Sequence, residues 1–484
     1  MDDDAYLAAL RARDARFDGV FFVGVTTTGV YCRPICPART PGADRCRFFA
    51  SAALAERAGF RACLRCRPEL APGRHRRVPV DAVPALAAAA ARLIDAGFLG
   101  DRSVADLADR LGVSDRHLRR ALESELGVSP VELAQTRRLA LAKQLLHDTD
   151  LGLAEIAFAA GFASVRRFNA AFRARFGRAP SALRRDAATA RAADAGDAIT
   201  LRLDARPPLD AAALLAFLAA RAVPGVERVD AAGYHRGVVV DGAAGWLVAR
   251  PAPGKAAALE LRLAASLVPR LPAVLARARA LFDLDADPDA IGRHLARDPR
   301  LAAAVRARPG LRVPGAFDGW EVAVRAILGQ QISVAAATTL AGRLVERLGG
   351  TNPAAPPGLD RTVPSPAALL AAGEAAVAAI GLPAARARTL LALADAVRRG
   401  AVDLAPGAEP ARAHAALTAI AGIGPWTASY VAMRALAWPD AFLAGDLIVR
   451  RALGGTAAAA ERASAPWRPW RAYAVLHLWT GAPS

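Results

Sequence analysis

Residues 417–446 contain the strongest local constraint in the chain, a Gly422-Ile423-Gly424 turn between two helix-forming stretches. Glycine adopts positive φ at little cost, so the chain can reverse direction tightly there. Pro425 suits the first position of the next helix, because proline has no N–H to leave unpaired at that point. The turn also leaves backbone N–H groups at a helix N-terminus, where the helix dipole favours a phosphate. The pattern predicts two helices joined by a tight, anion-binding hairpin.

An aspartate follows this hairpin at a fixed distance, since Asp446 lies 22 residues after Gly424. The glycine turn, the Thr-Ala after Trp426 and this spaced aspartate resemble the helix-hairpin-helix motif of the DNA glycosylase superfamily. The resemblance implies that Asp446 is the catalytic carboxylate. The plainer alternative is an αα-hairpin with a glycine turn inside a helical core.

Length and charge favour a multidomain protein that binds nucleic acid. Single cores rarely exceed about 250–300 residues, so 484 residues predict several domains. The formal net charge of +18 favours polyanion partners through counterion release. The acidic start does not resemble a signal peptide, and no charge-free apolar run reaches the roughly 18 residues of a membrane span. We therefore expect a cytoplasmic, nucleoid-associated bacterial protein with no membrane contact.

All five cysteines fall within the first 66 residues. Cys32 and Cys36 form one close pair, and Cys63 and Cys66 form a second pair after 26 intervening residues. Four thiolates from two such turns give a closed tetrahedral Zn²⁺ site, and the absence of a secretory signal argues against disulfides. We expect one zinc ion per chain on these four cysteines. Cys46 is left over, as a small buried filler or a free surface thiol.

The segments around the quartet, TTTGVYCRPICPART and RFFASAALAERAGFRACLRCRPE, resemble the N-terminal domain of the Ada family of adaptive-response DNA repair proteins. The resemblance implies that Cys32, first in the C-R-P-x-C motif, accepts a methyl group from a DNA methylphosphotriester. It also implies that nearby arginines hold the DNA backbone while others are simply solvated, the candidates being Arg33, Arg39, Arg45, Arg47, Arg65 and Arg67. From spacing alone, the alternative is a zinc knuckle that only stabilises a small domain.

Two copies of a helix-turn-helix pattern occupy residues 84–185. Ser114 and Ser164 are the predicted N-caps of the second helix in each copy. The ending GFAS-x3-F-x3-FRARFG-x-x-P resembles the AraC-type DNA-binding domain. The alternative is an amphipathic bundle with a solvated basic face. The resemblance implies two recognition helices, along which lie Arg116, His117, Arg120, Arg166, Arg167 and Arg173.

Residues 186–197 are alanine-rich without apolar periodicity and predict a linker. β-like runs follow at 199–203, 237–240, 246–249 and 258–263, interrupted by helical patterns at 211–221 and 267–281. This order predicts a small α+β layer of antiparallel strands with two helices. The segments LLAFLAARAVPGVE and LFDLDADP resemble the N-terminal, TBP-like domain of AlkA-type 3-methyladenine DNA glycosylases, and this part shows no catalytic constellation.

The remainder of the chain is almost wholly helical by pattern, and the AlkA resemblance spans about residues 198–482. It implies base-pocket walls at Trp426, Tyr430 and Trp479, whereas Trp467 and Trp470 are expected to pack in the core. It further implies a structural monovalent cation on the carbonyls of Thr418, Ile420 and Gly422. The implied DNA contacts come from a wedge residue and from the hairpin, at Gln331, Gly422, Ile423, Gly424 and Thr427.

Residues and motifs that the sequence lacks restrict the repair reactions that we expect. Trp426 stands where bifunctional members of the superfamily carry a lysine, and no lysine follows Lys255, so a Schiff-base lyase step is not expected. No cysteine follows Cys66, which excludes the iron–sulfur loop of some relatives. The Pro-Cys-His-Arg motif of guanine methyltransferases is also missing, so we expect no O6-methylguanine repair.

The whole chain therefore predicts a multidomain, mainly α protein with α+β parts. The expected order is a small α+β domain with a four-cysteine zinc site (1–76), a paired helix-turn-helix domain (84–185), a linker (186–197), a TBP-like α+β domain (198–288) and an all-α helix-hairpin-helix glycosylase domain (289–484). Its expected function joins monofunctional excision of alkylated purines to a methyl acceptor that activates transcription, with damaged DNA, promoter DNA and RNA polymerase as partners. One alternative is a regulator with an inert glycosylase domain, which the presence of Asp446 argues against. Another is a repair enzyme whose helix-turn-helix pair only anchors DNA.

Overall fold

A computed structural model describes residues 3–73, 82–187, 197–254 and 257–481. The chain divides into two compact units. One comprises residues 1–207, 252–276 and 284–286, and the other comprises residues 208–251, 277–283 and 287–484. Most of the predicted linker, residues 188–196, lies outside the described residues. The mainly helical, multidomain class with α+β parts is confirmed.

The N-terminal part is a small α+β fold that places the cysteines. Its elements are α1 (Asp3–Arg11), β1 (Phe22–Val25), β2 (Val30–Cys32), β3 (Cys46–Phe49), α2 (Ala52–Arg57) and β4 (Arg61–Ala62). The sheet has the strand order β3-β1-β2-β4, in which β1 is antiparallel to β2 and β3 while β2 and β4 are parallel. The parallel register pairs Tyr31 with Ala62, so the residues that follow them, Cys32 and Cys63, lie at the same end of the two strands.

Seven helices follow within residues 82–187, and they contain both predicted helix-turn-helix copies. Ser114 accepts a hydrogen bond from the His117 amide and Ser164 accepts one from the Arg167 amide, which confirms both predicted caps. The last helix continues two residues beyond the predicted end at 185. The helices are α3 (Ala82–Asp95), α4 (Val104–Arg110), α5 (Asp115–Leu126), α6 (Pro130–Asp148), α7 (Leu153–Ala159), α8 (Val165–Phe176) and α9 (Pro180–Ala187).

The described residues of the predicted α+β segment form five strands: β5 (Ala198–Asp204), β6 (Glu227–Asp230), β7 (Gly233–Val240), β8 (Ala243–Pro251) and β9 (Ala258–Ala264). In the first unit β5 pairs antiparallel with β9, and in the second β7 pairs antiparallel with both β6 and β8. The sequence did not predict β6, because its partly exposed polar residues show no apolar alternation. The helices are α10 (Ala211–Ala219) and α11 (Leu271–Leu281), and α11 starts four residues later than predicted because a 3-10 helix precedes it.

The second unit is completed, over the described residues up to 481, by eleven helices around a core that includes Ile327, Leu344, Leu390, Leu417 and Val431. They are α12 (Pro288–Leu295), α13 (Pro299–Ala307), α14 (Gly319–Leu328), α15 (Val334–Leu348), α16 (Pro366–Ala378), α17 (Ala384–Arg398), α18 (Pro410–Thr418), α19 (Pro425–Ala435), α20 (Leu447–Ala452), α21 (Ala457–Ala463) and α22 (Arg471–Gly481).

Two tryptophans test the prediction of core packing. Trp467 is 1% exposed, and its indole N–H donates to Asp298 at 2.7 Å. Trp470 is half-buried and meets Tyr473 edge-on. Across the described part of the chain, none of the helices has the length and apolarity that a membrane crossing requires.

Candidate metal centre, active site and nucleic-acid interface

The two predicted cysteine pairs converge on one point. The Sγ atoms of Cys32, Cys36, Cys63 and Cys66 all lie within 4.8 Å of one another, and all four residues are buried. A tetrahedral zinc ion with Zn–S bonds of about 2.3 Å fits such a group. Hydrogen bonding to Cys32 lowers the pKa of Cys36 to about 7 and lowers the pKa of Cys63 as well. Hydrogen bonding to the other three cysteines raises the pKa of Cys32 itself, so a bound soft metal cation would be needed to hold that sulfur as thiolate.

Cys46 lies outside this group. It is half-buried in β3, and its thiol donates to the Gly42 carbonyl at 3.3 Å. Burial raises the pKa of Cys46, which favours its protonated thiol.

Two arginines predicted to hold DNA are instead built into the protein, so the prediction is wrong for Arg33 and Arg67. Arg33 is 2% exposed and donates to Asp18 at 2.8 Å and to Asp204 at 3.0 Å. Arg67 donates to Glu69 at 3.0 Å and to Asp148 at 2.6 Å. A buried guanidinium needs a carboxylate partner inside the protein, and that pairing withdraws it from phosphate. The other four candidates are exposed: Arg39, Arg45, Arg47 and Arg65.

A buried lysine extends this ion-pair network from the metal centre to α6. Lys143 donates to the Cys63 carbonyl at 2.9 Å and to the Glu69 carboxylate at 2.7 Å. Burial alone would raise the pKa of Glu69, but attraction to Lys143 and Arg67 outweighs it and leaves that pKa lowered. The sequence missed this contact, because Lys143 and Cys63 are far apart along the chain.

The two predicted recognition helices each present a basic outer face. In α5, Leu118 is buried while the opposite side is solvent-exposed, and in α8 Phe168 and Phe172 are buried in the same way. The DNA-contact candidates are all exposed, namely Arg116, His117, Arg120, Arg166, Arg167 and Arg173. This placement suits contact with the DNA backbone or with base edges.

In the second unit, Asp446 caps α20 with a fully hydrogen-bonded carboxylate. Its Oδ1 accepts from the backbone amides of Ile448 at 3.0 Å and Val449 at 3.2 Å, and from the Trp479 indole at 3.1 Å. Its Oδ2 accepts from the Trp426 indole at 3.3 Å. Neutral N–H donors hold the carboxylate in place without cancelling its charge. The structure therefore brings Asp446 together with two of the three predicted pocket residues.

The third predicted pocket residue stacks on the first. The rings of Trp426 and Tyr430, one turn apart in α19, have centroids 5.3 Å apart and are inclined by only 7°. Arg434, the next residue on the same face, donates to the Tyr430 hydroxyl at 2.7 Å. Burial raises the pKa of Tyr430, but nearby guanidinium groups outweigh that effect and lower it. The spacing 426-430-434 places all three residues on one helix face, and this periodicity is the sequence signal that could have identified Arg434.

Phe217 is a second residue, near Arg434, that the sequence did not identify. The Arg434 guanidinium lies 4.8 Å from the centroid of the Phe217 ring, and the Arg221 guanidinium lies 3.7 Å from it. Only the tertiary fold brings α10 beside α19, so no local signal could have identified Phe217.

The hairpin has the predicted form. Gly422 has φ +89°, the turn joins α18 to α19, and Gly424 precedes α19 without a side-chain cap. Both glycines are exposed, which leaves their backbone open to a phosphate. Ile423 is different: its side chain is 5% exposed in the core and its amide donates to the Ile420 carbonyl at 3.0 Å. This amide closes the tight turn, and the DNA contact of Ile423 stays a prediction.

The remaining hairpin predictions concern the DNA contact of Thr427 and the carbonyls expected to bind a cation. Thr427 is only 4% exposed in the first turn of α19, and its DNA contact stays a prediction. Of the three proposed cation-binding carbonyls, Ile420 accepts from Ile423 and Gly422 accepts from Gln330 at 2.9 Å. Thr418 ends α18 directly before them.

The predicted wedge residue, Gln331, lies on the loop between α14 and α15. It is exposed and has φ +59°, a left-handed conformation that few non-glycine residues adopt. Ile332 beside it is 37% exposed. The loop thus holds a polar and an apolar side chain out into solvent.

Comparison with known protein families finds four matches along the chain. Residues 5–69 match the metal binding domain of Ada, and residues 107–186 match a helix-turn-helix domain. Residues 200–318 match the AlkA N-terminal domain, and residues 324–465 match the HhH-GPD superfamily of base excision DNA repair proteins. Each predicted domain type is thereby confirmed.

One relative matches this chain over nearly its whole length. A probable bifunctional transcriptional activator/DNA repair enzyme AlkA of Mycobacterium tuberculosis is 42% identical over 481 residues, which cover 98% of this chain and 95% of the relative. DNA-3-methyladenine glycosylase 2 of Escherichia coli is 38% identical over 57% of this chain and 95% of its own length. The bifunctional transcriptional activator/DNA repair enzyme Ada of the same organism is 35% identical over 28% of this chain and 37% of its own length.

Proposed function

The chain belongs to the family of bifunctional AlkA-type transcriptional activator/DNA repair enzymes, and from that premise we propose that its second unit is a monofunctional glycosylase for alkylated purines. The observation that carries the proposal is the Asp446 carboxylate, held by the indoles of Trp426 and Trp479 beside the stacked Tyr430 ring. The substrate class is 3-methyladenine and 7-methylguanine in double-stranded DNA.

The proposed reaction starts with a base outside the helix stack. A purine cannot be cut within the duplex, so it must be flipped into a pocket. Alkylation gives the purine a positive charge, which an electron-rich aromatic wall attracts and which makes the base a good leaving group. As the glycosidic bond breaks, the sugar becomes oxocarbenium-like, and the Asp446 carboxylate stabilises that charge. Water then adds to the sugar cation and releases a proton to solvent, which leaves an abasic site.

Binding of DNA in this proposal relies on the hairpin and the wedge loop. Gly422, Gly424 and the backbone of Thr427 contact phosphate, and Gln331 fills the gap that the flipped nucleotide leaves. The carbonyls of Thr418, Ile420 and Gly422 would hold a monovalent cation that tightens the turn. The family resemblance supports this cation, although two of its carbonyls also accept hydrogen bonds within the protein.

We further propose that the N-terminal quartet binds zinc and that Cys32 accepts methyl groups. When bound, zinc would keep the thiolates of Cys32, Cys36, Cys63 and Cys66 deprotonated. The Cys32 sulfur attacks the methyl carbon of a methylphosphotriester, an S–C bond forms, and the C–O bond breaks. A phosphodiester anion leaves, and Cys32 becomes a neutral S-methyl thioether. The transfer therefore occurs once per chain.

We propose that the helix-turn-helix pair couples methyl transfer to Cys32 with the regulation of transcription. Methylation of Cys32 lowers the negative charge near DNA, so we propose that it raises affinity for a promoter and supports activation of RNA polymerase. Family membership favours this role over a domain that only anchors DNA. Gel-shift titrations of methylated and unmethylated protein against salt test it, because a charge-based gain weakens as salt rises. Equal affinities at every salt concentration would leave anchoring as the function.

The proposed domain limits remain those of the sequence: 1–76, 84–185, 198–288 and 289–484. The glycosylase is tested by incubating purified protein with methylated DNA and separating the released bases by chromatography. Free 3-methyladenine and 7-methylguanine are expected. Borohydride treatment should trap no covalent adduct, since Trp426 occupies the lysine position.

A further inference from the structure

The side-chain amide of Gln330 joins parts of the second unit that are distant in sequence. Its Nε2 donates to the Gly422 carbonyl at 2.9 Å and to the Thr427 hydroxyl at 3.2 Å. Gly422 belongs to the hairpin turn, and Thr427 is buried in the first turn of α19. Gln330 itself directly precedes the exposed Gln331. One amide therefore links the wedge loop to the hairpin and to the helix of the base pocket.

We propose that Gln330 is a positioning residue that keeps the wedge loop in register with the hairpin and the pocket during base flipping. The inference rests on the proposed glycosylase function and assigns a role within it. Thr427 lies between Trp426 and Tyr430 on α19. Because the three residues share one rigid helix, a hydrogen bond to the Thr427 hydroxyl also fixes the loop relative to both pocket rings. A shift of the loop relative to α19 would break both hydrogen bonds of the Gln330 amide.

Helix α17 fixes both ends of this bridge. Arg386 donates to the Gln330 carbonyl at 2.8 Å, and the Thr389 hydroxyl donates to the Ala421 carbonyl at 3.1 Å. The Thr389 Oγ1 lies 2.1 Å from the point that a Cβ on Gly422 would occupy. The turn thus sits directly on α17 and has no room to move toward it. The Gln330 amide connects two elements that are each held by the same helix.

Register matters because the wedge and the pocket act on the same nucleotide. The wedge must fill the gap in the stack while the hairpin holds the backbone and Asp446 faces the sugar. A misplacement of about 1 Å between such groups can lower a rate roughly 100-fold. Gln331 is polar and fills an apolar gap less well than an aliphatic side chain would. A polar wedge residue therefore depends more on the correct position of its loop, and the two hydrogen bonds of the Gln330 amide hold the loop there.

The test uses full-length protein and a duplex in which 2-aminopurine lies next to a tetrahydrofuran abasic-site analogue. Its fluorescence rises when the neighbouring stack is opened. The variant Gln330→Met keeps the chain length and removes the donor, and Gln331→Met makes the same change one residue later. Binding is followed by anisotropy, and single-turnover release of 7-methylguanine is measured in parallel.

For Gln330→Met we expect DNA affinity within about threefold of wild type, because the phosphate contacts remain. The fluorescence rise should fall by about half or more, and the single-turnover rate should fall about 10-fold or more. Gln331→Met changes the wedge itself and should increase the rise, the opposite direction from Gln330→Met, since an apolar side chain fills the gap better than glutamine does. Thr427→Val should act in the same direction as Gln330→Met, and the double variant should be little worse than either, as expected for one shared interaction.

Three results would overturn the inference. The first is a normal fluorescence rise in Gln330→Met at equal bound fraction. The second is a parallel loss of thermal stability and DNA affinity, which indicates a merely structural role. The third is no rise with any of the proteins. A wild-type protein that shows the rise but releases no 7-methylguanine would instead contradict the proposed glycosylase, while the fluorescence still decides the role of Gln330.

Discussion

The metal centre and the glycosylase site hold their charges in opposite ways. Around the cysteine quartet, charged side chains are buried in pairs, as Arg33 is with Asp18 and Lys143 with Glu69. The Asp446 carboxylate is only half-buried, and its donors are neutral amides and indoles. A carboxylate held by neutral donors keeps its charge for a developing cation. Around the quartet, the buried charges of Arg33 and Lys143 are already paired with carboxylates, so methylation of Cys32 would change the net charge of this region.

The largest effect should come from removing a metal ligand. Cys63→Ser should lose the zinc ion and with it the fold of the N-terminal domain, because structural zinc binding is worth about 10–16 kcal/mol. Metal content by mass spectrometry should fall from one zinc per chain to a small fraction. The matched control is Cys46→Ser, which lies outside the quartet and should retain zinc. Equal zinc loss in both would show that the quartet is not the site.

The next effect should come from removing the charge of the Asp446 carboxylate in the glycosylase site. Asp446→Asn keeps the side-chain shape but removes the charge, so base release should fall at least about 1,000-fold, or ~4 kcal/mol. Binding to abasic-site DNA should change little. Release is measured by chromatography under single-turnover conditions, with Trp470→Phe as a control aromatic change outside the pocket. Wild-type release by the Asn variant would remove Asp446 from the mechanism.

Breaking a buried pair near the metal centre should have an effect of similar size, but on stability. Asp18→Asn leaves the Arg33 guanidinium partly uncompensated, which should lower the free energy of unfolding by roughly 3–5 kcal/mol. The control is Asp44→Asn, since Asp44 meets Arg45 at 3.6 Å with both side chains largely exposed. That change should cost less than about 1 kcal/mol. Denaturant titrations that give similar losses for both variants would contradict the contrast between buried and exposed pairs.

A smaller effect should depend on pH. Burial, together with Arg308, lowers the pKa of His477 to about 4, below its ordinary value near 6.5. The unfolded state then binds a proton more readily, so stability is present above pH 6.5 and is lost as pH falls toward 4. The loss should approach ~3 kcal/mol. Urea unfolding across this range should show it, and His477→Gln should flatten that part of the profile. An unchanged profile would mean that His477 is not responsible.

Local patterns accounted for much of both sites. The cysteine spacing, the serine caps and the glycine turn each work within a few residues, and the structure reproduces them. The aromatic walls were predicted from a resemblance, and two of them, Trp426 and Tyr430, lie on one helix face. In each of these cases the geometry is fixed by short-range chemistry.

Contacts between distant segments could not be predicted in this way. The pairing of Arg33 with Asp18 and Asp204, and the bridge from Gln330 to Gly422, join residues whose partners are set only by packing. Arg33 and Arg67 looked like DNA ligands because a sequence shows charge but not its partner. A sequence also does not show that the Ile423 amide closes the hairpin turn by donating to the Ile420 carbonyl.

The central claim is that one chain carries two separable reactions on alkylated DNA. The direct test incubates wild type, Asp446→Asn and Cys32→Ser with the same methylated DNA, and measures released purines and the methylated cysteine by mass spectrometry. Wild type should release methylpurines and carry a methyl group on Cys32. Asp446→Asn should methylate Cys32 without releasing bases, and Cys32→Ser should release bases without being methylated. Loss of both reactions in either variant, or a methyl group on Cys46, would contradict the account.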